Sequence, residues 1–318
     1  MQDKIICGDC IEILSKVKNP FADLIFADPP FNIGYKYDKY HDKHKKENYI
    51  AWTKEWMNAC YNVLKPTGAF YIAIGDDYAA NMKVIADEMG LVMRNWIIWH
   101  YTFGQQTKTK FARAHTHIFY FVKDEKDYTF NDYAVRSPSD RQLIYNDKRA
   151  NAKGKLPDDV WGNFSRVCGT FNERQKWHPC QMPEILLARI IAVSSNPGDW
   201  VLDPFSGSGT TAAVAARYGR KYTGIDVSKS YAKNTEKRLA ELKSEISDVN
   251  LFFTAEEIYE IERLFVDIGI GADQMIGSDK LMNIFAEQLT LRMNNGKKYA
   301  PEKIATVIKG FVYWSKKA

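Results

Sequence analysis

The sequence predicts an α/β fold: a doubly wound, mostly parallel sheet, an inserted polar segment and a small C-terminal helical region. Three observations predict it. First, an apolar run ending at Leu202 passes into Asp203-Pro204-Phe205-Ser206-Gly207-Ser208-Gly209-Thr210-Thr211, and an alanine-rich stretch with helical spacing follows, Ala212 to Arg217. That is a strand, a tight turn and a helix start. Second, the next apolar stretch, Lys221 to Asp226, again ends in an acid, as the second strand of a nucleoside-binding βαβ unit commonly does. Third, far upstream, Asp23-Leu24-Ile25-Phe26-Ala27 runs into Asp28-Pro29-Pro30-Phe31, a strand tipped by an acid, two prolines and a ring. Taken alone, Gly-x-Gly is equally an ordinary tight turn and Asp-Pro-Pro equally a strand stop.

The totals narrow the class. With 318 residues and 45% hydrophobic composition, the chain can bury one large α/β domain and a smaller one. A net charge of +5 is compatible with a polyanionic partner. The five cysteines, at 7, 10, 60, 168 and 180, are odd in number and scattered, and no signal peptide precedes them, so a reducing cytoplasm is expected. Cys7 and Cys10 have the C-x-x-C spacing, but no second pair accompanies them, so no metal is expected there. No apolar run reaches the ~18 residues of a bilayer span, so no membrane partner is expected.

In chain order, Lys4 to Cys7 is a short apolar strand, Gly8-Asp9 a turn, and Ile11 to Leu14 opens a helix. Asp9 reads as an N-cap or as a carboxylate at the sheet edge. At Asp28-Pro29-Pro30-Phe31 the prolines remove two N–H donors, so the turn offers only acceptors. An exocyclic NH2 has two hydrogens to donate; Asp28 and the Pro29 carbonyl can take one each, with Phe31 as a flat surface for a base. Asn32 to Asn48 alternates tyrosines and cations, among them Lys36 and Lys39, and reads as a solvated loop or as a flap over phosphates. Tyr49 to Leu64 is an amphipathic helix stopped by Lys65-Pro66-Thr67-Gly68, and Ala69 to Ile74 a buried strand. Tyr78 to Met89 is a helix, and Leu91 to Tyr101 a strand whose Trp96 and Trp99 are expected in the core. Thr102 to Ala114 is a polar, basic connection carrying Gln105, Gln106, Lys108, Lys110 and Arg113, followed by the strand His115 to Lys123. His115 and His117 have no third ligand nearby in sequence, so no metal is expected there either.

Residues 124 to 176 hold few aliphatic residues and many cations, among them Arg136, Arg141 and Arg149. Such a stretch cannot bury a large core alone. Pro183 suits the first turn of a helix whose apolar face is Ile185, Leu186, Ile190 and Val193. Tyr231 to Lys243 is a charged amphipathic helix. Three more follow: Ala255 to Asp267, Leu281 to Met293 and Pro301 to Lys316. Their apolar stripes favour plain packing; a dimer surface, or a DNA contact through Lys297, Lys298, Lys316 and Lys317, are the other readings.

Asp28-Pro29-Pro30-Phe31 and Phe205-Ser206-Gly207-Ser208-Gly209 resemble the two signatures of the DNA amino-methyltransferases, which use S-adenosylmethionine to methylate adenine N6 or cytosine N4. His178-Pro179-Cys180-Gln181-Met182-Pro183 resembles a third, His-Pro-Thr-Gln-Lys-Pro, with the hydroxyl and the charge replaced. The order, catalytic turn first and glycine turn last, resembles the permuted β group, and the likeness covers Lys4 to Leu242. It implies a Rossmann-like methyltransferase sheet with one antiparallel strand. It implies residues 1–123 as the catalytic half, 124–176 as the target-recognition segment, 177–245 as the cofactor half and 246–318 as a helical extension. It implies Asp28, Pro29, Pro30 and Phe31 as catalytic, and S-adenosylmethionine held by Asp9, Cys10, Asp28, Asp203, Phe205, Ser206, Gly207, Ser208, Gly209, Thr210 and Asp226. Double-stranded DNA is the expected partner, through Lys36, Lys39, Lys108, Lys110, Arg113, Arg136, Arg141 and Arg149, with the target base flipped out of the helix. A homodimer and a cognate restriction endonuclease are further partners the resemblance allows. In the family, Asp at the start of the catalytic motif leans toward adenine N6, so the expected activity is an adenine methyltransferase; cytosine N4, a non-catalytic DNA-binding subunit, and RNA or a protein amide are the alternatives.

Overall fold

The computed structural model describes residues 1–105, 107–169, 173–247 and 252–310. Gln106, Lys316 and Lys317, named above, lie outside them. The described residues fall into two compact units: those of 1–130 with 159–243, and those of 131–158 with 244–318. The stretch 124–176 is therefore divided between the two.

In the first unit the strands are β1 (Lys4–Cys7), β2 (Ala22–Ala27), β3 (Leu64–Ile74), β4 (Val92–Gln105), β5 (Arg113–Val122), β6 (Val160–Trp161), β7 (Trp200–Asp203) and β8 (Lys221–Asp226). Among the described residues they form one eight-stranded sheet in the order β1-β8-β7-β2-β3-β5-β4-β6. The pairs β1–β8, β8–β7, β7–β2 and β2–β3 are parallel, as is β4–β6. Only β5 runs against its neighbours. The carboxyl ends of β1, β2, β7 and β8 thus share one edge, where such sheets bind ligands.

Both faces are covered. Ile25, Phe70, Ile72, Phe119 and Phe121 share a cluster with Leu14 of α1 (Cys10–Leu14), Trp56, Met57, Cys60 and Val63 of α2 (Lys46–Val63), and Met82 and Ile85 of α3 (Asp76–Glu88). The short helix α4 (Asp140–Leu143) belongs to the second unit. The alternate residue Tyr71 faces the other way and meets Ser194 of α5 (Glu184–Ser194) at 2.8 Å, hydroxyl to hydroxyl. Two further helices, α6 (Thr210–Arg217) and α7 (Lys229–Ser247), follow β7 and β8. Side chains that alternate between the two faces of each strand dictate this two-sided cover.

Three local expectations differ. The segment Lys65-Pro66-Thr67-Gly68 does not separate helix from strand: β3 starts at Leu64 and its register shifts there, pairing Leu64 with Ala22 but Ala69 with Leu24. Lys65 is held by Asp23 at 2.8 Å and Lys123 donates to the Leu64 carbonyl at 2.6 Å, so the irregular segment keeps its place in the sheet. Trp99 is core, but Trp96 is exposed on β4 and donates its indole N–H to His117 Nδ1 at 2.9 Å. Finally, Asp76, at the start of α3, brings a carboxylate to His115 and His117, a third candidate ligand that lies far from them in the sequence. Arg113 already pairs with Asp76 at 3.0 Å, and Trp96 occupies one nitrogen of His117, so both would have to yield to a metal.

The second unit has its own core, Phe253, Ile261, Leu264, Phe265, Met275, Phe285, Leu289, Ile304 and Ile308. Beyond α4, its helices are α8 (Ala255–Ile268), α9 (Ala272–Ile276), α10 (Asp279–Met293) and α11 (Pro301–Gly310). The apolar stripes predict all of these but α4 and α9, which are too short to show one. Thr254 and Glu257 form a capping box at the start of α8. Arg292 and Arg263 are buried with Glu260 and Asp267, and reach the backbone carbonyls of Ala134, Val135 and Arg136. The polar segment 131–158 thus gains from the C-terminal helices the core it cannot supply itself.

Among the described residues no helix is long and apolar enough to cross a membrane.

Candidate active site

The turn after β7 is built around two carboxylates. Asp203 accepts from the Phe205 N–H at 3.0 Å and from the Thr211 hydroxyl at 2.6 Å, which closes the turn onto the start of α6. Asp226, at the tip of β8, accepts from the Gly207 N–H and the Ser228 N–H, both at 2.8 Å. Gly207 and Gly209 have φ of +49° and +74°, a region in which side-chain-bearing residues are strained. At Gly209 a Cβ would also lie 2.1 Å from Thr235 Cγ2. We therefore expect Gly209→Ala to lower the melting temperature and weaken cofactor binding, and Thr235→Ser, which removes the clashing methyl, to restore part of both. Calorimetric melting and titration of the single and double variants check this.

Behind the turn stands a buried ion cluster. Glu184, on the first turn of α5, meets Arg217 of α6 and Arg238 of α7, each at 2.5 Å. Arg238 also donates to the Ser208 carbonyl at 2.7 Å. The glycine turn is thus fixed from three helices.

The turn after β2 faces the same space. Asp9, Cys10, Asp28, Pro30, Asp203, Phe205, Ser206, Gly207, Ser208, Thr210 and Asp226 line one cleft of about 990 Å³, its open mouth included. Gly209 supports the turn from behind. Asp9 also caps α1, accepting from the Ile11 N–H at 2.8 Å, so its two readings coexist. Pro29 is buried and Phe31 half-buried, packed on the core beside Gly75; neither lines the cleft. The Pro30 carbonyl accepts from the Tyr49 hydroxyl at 2.6 Å.

Residues 32–48 close one side of the cleft. Buried Asp42 accepts from the backbone N–H groups of Asn32, Ile33 and Tyr35, and so folds the loop on itself. Asp38 accepts from the hydroxyls of Ser228 and Ser230, at 2.5 and 3.1 Å, beside the Asp226 tip. Tyr37, Tyr40 and Lys39 line the cleft, so Lys39 faces the cleft and not the outer surface expected of a phosphate contact, while Lys36 is exposed. Sequence reasoning missed Tyr37, Tyr40, Trp52 and Tyr231 as lining residues, because an aromatic residue in sequence reads equally as core.

The electrostatics are one-sided. Burial pushes the Asp28 carboxyl up to about 7, with Asp203 adding repulsion. Burial likewise pushes Asp203 up to about 7, against the hydrogen bonds from Thr211 and Phe205. Burial raises Asp226 too. His178, buried against the glycine turn, is held neutral, its pKa pushed down to about 4. Among the described residues the lining of the cleft therefore holds several carboxyl groups and no buried cation, a donor set suited to a cationic ligand. Ser206 Oγ is buried there without a partner.

The remaining cations named from sequence are dispersed. Lys108, Lys110 and Arg141 are exposed. Arg113 is paired with Asp76 and Asp77. Arg136 is paired with Asp132 and donates to the Gly154 carbonyl at 3.0 Å, which makes it a brace within the second unit. Arg149 is exposed but paired with Asp147 at 2.9 Å.

Comparison with known proteins agrees with this layout. A family model described as DNA methylase matches residues 22–237. The type II methyltransferase M.HpaI of Haemophilus parainfluenzae is 37% identical over 242 residues, 75% of this chain and 74% of that protein. The DNA adenine methyltransferase YhdJ of Escherichia coli K12 is 38% identical over 269 residues, 81% of this chain and 87% of that protein. Among solved structures, the cytosine-N4-specific PvuII DNA methyltransferase superposes with a TM-score of 0.58 at 18% identity, over 82% of this chain and 91% of that one. A DNA modification methylase from Thermus thermophilus, complexed with S-adenosyl-L-methionine, gives 0.54 at 22% identity, over 75% and 93%. At those identities the structural likeness speaks for the fold.

Proposed function

Since this chain belongs to the N6/N4 DNA methylase family, we propose that it transfers a methyl group from S-adenosylmethionine to the N6 of adenine in double-stranded DNA. The observation that carries this reading is that Asp28, of the catalytic turn, and Gly207 and Asp226, of the cofactor turn, line one cleft. The residues fit the cofactor: the carboxyl groups suit its cationic sulfonium, and Asp226 at the tip of β8 suits its ribose hydroxyls. The intact Asp-Pro-Pro-Phe motif speaks against a non-catalytic subunit, and the adenine methyltransferase YhdJ, matched over most of its length, speaks for adenine.

When bound, S-adenosylmethionine supplies the methyl group. The chain's own part is positioning and charge. The Asp28 carboxylate accepts an N–H of the amine and so orients the nitrogen lone pair; the Pro29 carbonyl, expected from sequence as the second acceptor, belongs to a buried residue outside the cleft lining. The Asp28 anion also stabilises the positive charge that the nitrogen gains, before its proton leaves. Preorganised groups of this kind supply a large share of barrier reduction. Exposed cations suit the DNA phosphates: Lys36, Lys108 and Lys110 in the first unit, and Arg141 in the second, where Ile144 and Tyr145 are exposed beside it. A homodimer, a cognate endonuclease and a cytoplasmic location belong to the same reading.

The test is methylation of genomic DNA by the purified protein, digestion to nucleosides and identification by mass. N6-methyldeoxyadenosine is the expected product; N4-methyldeoxycytidine alone overturns the choice of base. Single-molecule sequencing of the same DNA gives the site. A pH series adds a second check. Asp28 must be ionised, and in the free protein it titrates at about 7, raised chiefly by burial. kcat/KM for DNA at low cofactor is therefore expected to rise with pH up to about 7, and kcat, with the cationic cofactor bound, to reach its plateau at lower pH.

A further inference from the structure

The hairpin between β4 and β5 carries a side chain that the site described above does not use. Phe111 is 99% exposed. Phenylalanine is among the residues most often buried, and here it lies between Lys110 and Arg113, with Lys108 also exposed. The turn beneath it is ordered by Thr107, whose hydroxyl donates to the Lys110 carbonyl at 2.5 Å and accepts from the Lys110 N–H at 3.2 Å.

The hairpin's place in the sheet gives that ring a direction. Strands β4 and β3 are both antiparallel to β5, so β4 runs with β3, and β3 is parallel to β2. The hairpin therefore leaves the sheet at its carboxyl edge, the edge that bears Asp28. Its base is anchored. Gln105 is in register with Arg113, and Arg113 holds Asp76 at 3.0 Å and Asp77 at 3.3 Å, at the start of α3. One residue before Asp76, Gly75 packs against Phe31 of the catalytic turn. A continuous path of packed and paired groups thus links the catalytic turn to the hairpin.

We infer that Phe111 is the wedge that enters the DNA duplex at the target base pair and holds the stack open while the base occupies the cleft. The inference rests on the proposed base-flipping reaction. An apolar ring inserted between base steps replaces the stacking that the departing base loses. Lys108 and Lys110, beside it, would meet the phosphates that flank the opened step.

The experiment compares wild type, Phe111→Ala and Phe111→Leu on two duplexes containing the methylation site: one fully paired, and one with an abasic position opposite the target base, where extrusion is already favoured. Phe111→Ala is expected to lose roughly tenfold or more in kcat/KM on the paired duplex and to regain near-wild-type rates on the abasic one. Phe111→Leu, still an apolar wedge, is expected to keep most activity on both. With 2-aminopurine as the target base, the fluorescence rise on binding should shrink in Phe111→Ala. An equal loss on both duplexes, or no loss on the paired one, overturns the wedge. So does a wild-type dimer, seen by sedimentation, that Phe111→Ala dissociates without changing activity on paired DNA. If wild type methylates neither duplex, the proposed reaction itself has failed, and the wedge with it.

Discussion

Asp28→Ala is expected to lower methyl transfer by about 10³-fold or more while S-adenosylmethionine still binds. The other groups proposed to hold the cofactor, the glycine turn and Asp226, do not depend on Asp28 for their hydrogen bonds. The acceptor and the negative charge at the amine do. Asp28→Asn separates the two contributions. It keeps one carbonyl acceptor but no charge, so it should also be severely impaired. Its stability should move the other way. Burial pushes the Asp28 carboxyl up to about 7, so the folded chain holds this proton to a higher pH than the unfolded chain, whose aspartate titrates near its ordinary value of 3.8. Stability is therefore lost as pH rises from about 4 to about 7. Without cofactor, Asp28→Asn should melt above wild type at about pH 8 and level with it below about pH 4. Scanning calorimetry at the two pH values, alongside a methylation assay, checks both. A variant that stayed active would remove Asp28 from the chemistry.

The same residue shows what a sequence exposes and what it hides. Asp28-Pro29-Pro30-Phe31 and the glycine turn are legible because their chemistry is local: prolines that delete donors, glycines at positive φ, acids at strand tips. The parallel order of the central strands follows from those tips. What stays hidden depends on residues far apart in the chain. Glu184, which reads only as part of a helix start, proves to be the centre of an ion cluster with Arg217 and Arg238. Asp76 reaches His115 and His117 only because β3 and β5 are antiparallel neighbours. Trp96 and Trp99 look alike in sequence, but their three-residue spacing on a strand puts them on opposite faces, and only one is buried. Arg136, one of a series of cations in sequence, is turned inward by Asp132 and the Gly154 carbonyl. The helices after 254 show their stripes but not their role, since a stripe does not say what it covers. Here it covers a shared core, and two of its arginines hold the backbone of 134–136.

Glu184→Ala should cause the largest loss of stability. Glu184 is buried, with one carboxylate oxygen on Arg217 and the other on Arg238, both at 2.5 Å. Removing one partner of a buried ion cluster leaves charge in a poorly hydrated place, at a typical cost of about 3–5 kcal/mol. For a unit of this size that corresponds to a fall in melting temperature of roughly 10 °C. The effect should reach the cofactor. Arg238 holds the Ser208 carbonyl at 2.7 Å and the Thr210 hydroxyl at 3.2 Å, both in the turn that lines the cleft. An Arg238 released from Glu184 is free to reorient, and the glycine turn loses a fixed support. Cofactor affinity should therefore fall in Glu184→Ala, and less in Glu184→Gln, which keeps a hydrogen-bonding oxygen but not the charge. Replacing Glu184 and Arg238 together by methionine separates charge from shape: it removes the more deeply buried of the two cations that Glu184 held, leaving only Arg217, so it should melt above Glu184→Ala. It also deletes the donor to Ser208, so its affinity should stay low. Recovery of both stability and affinity in the double variant would mean that Arg238 does not position the turn; recovery of stability alone is the expected result.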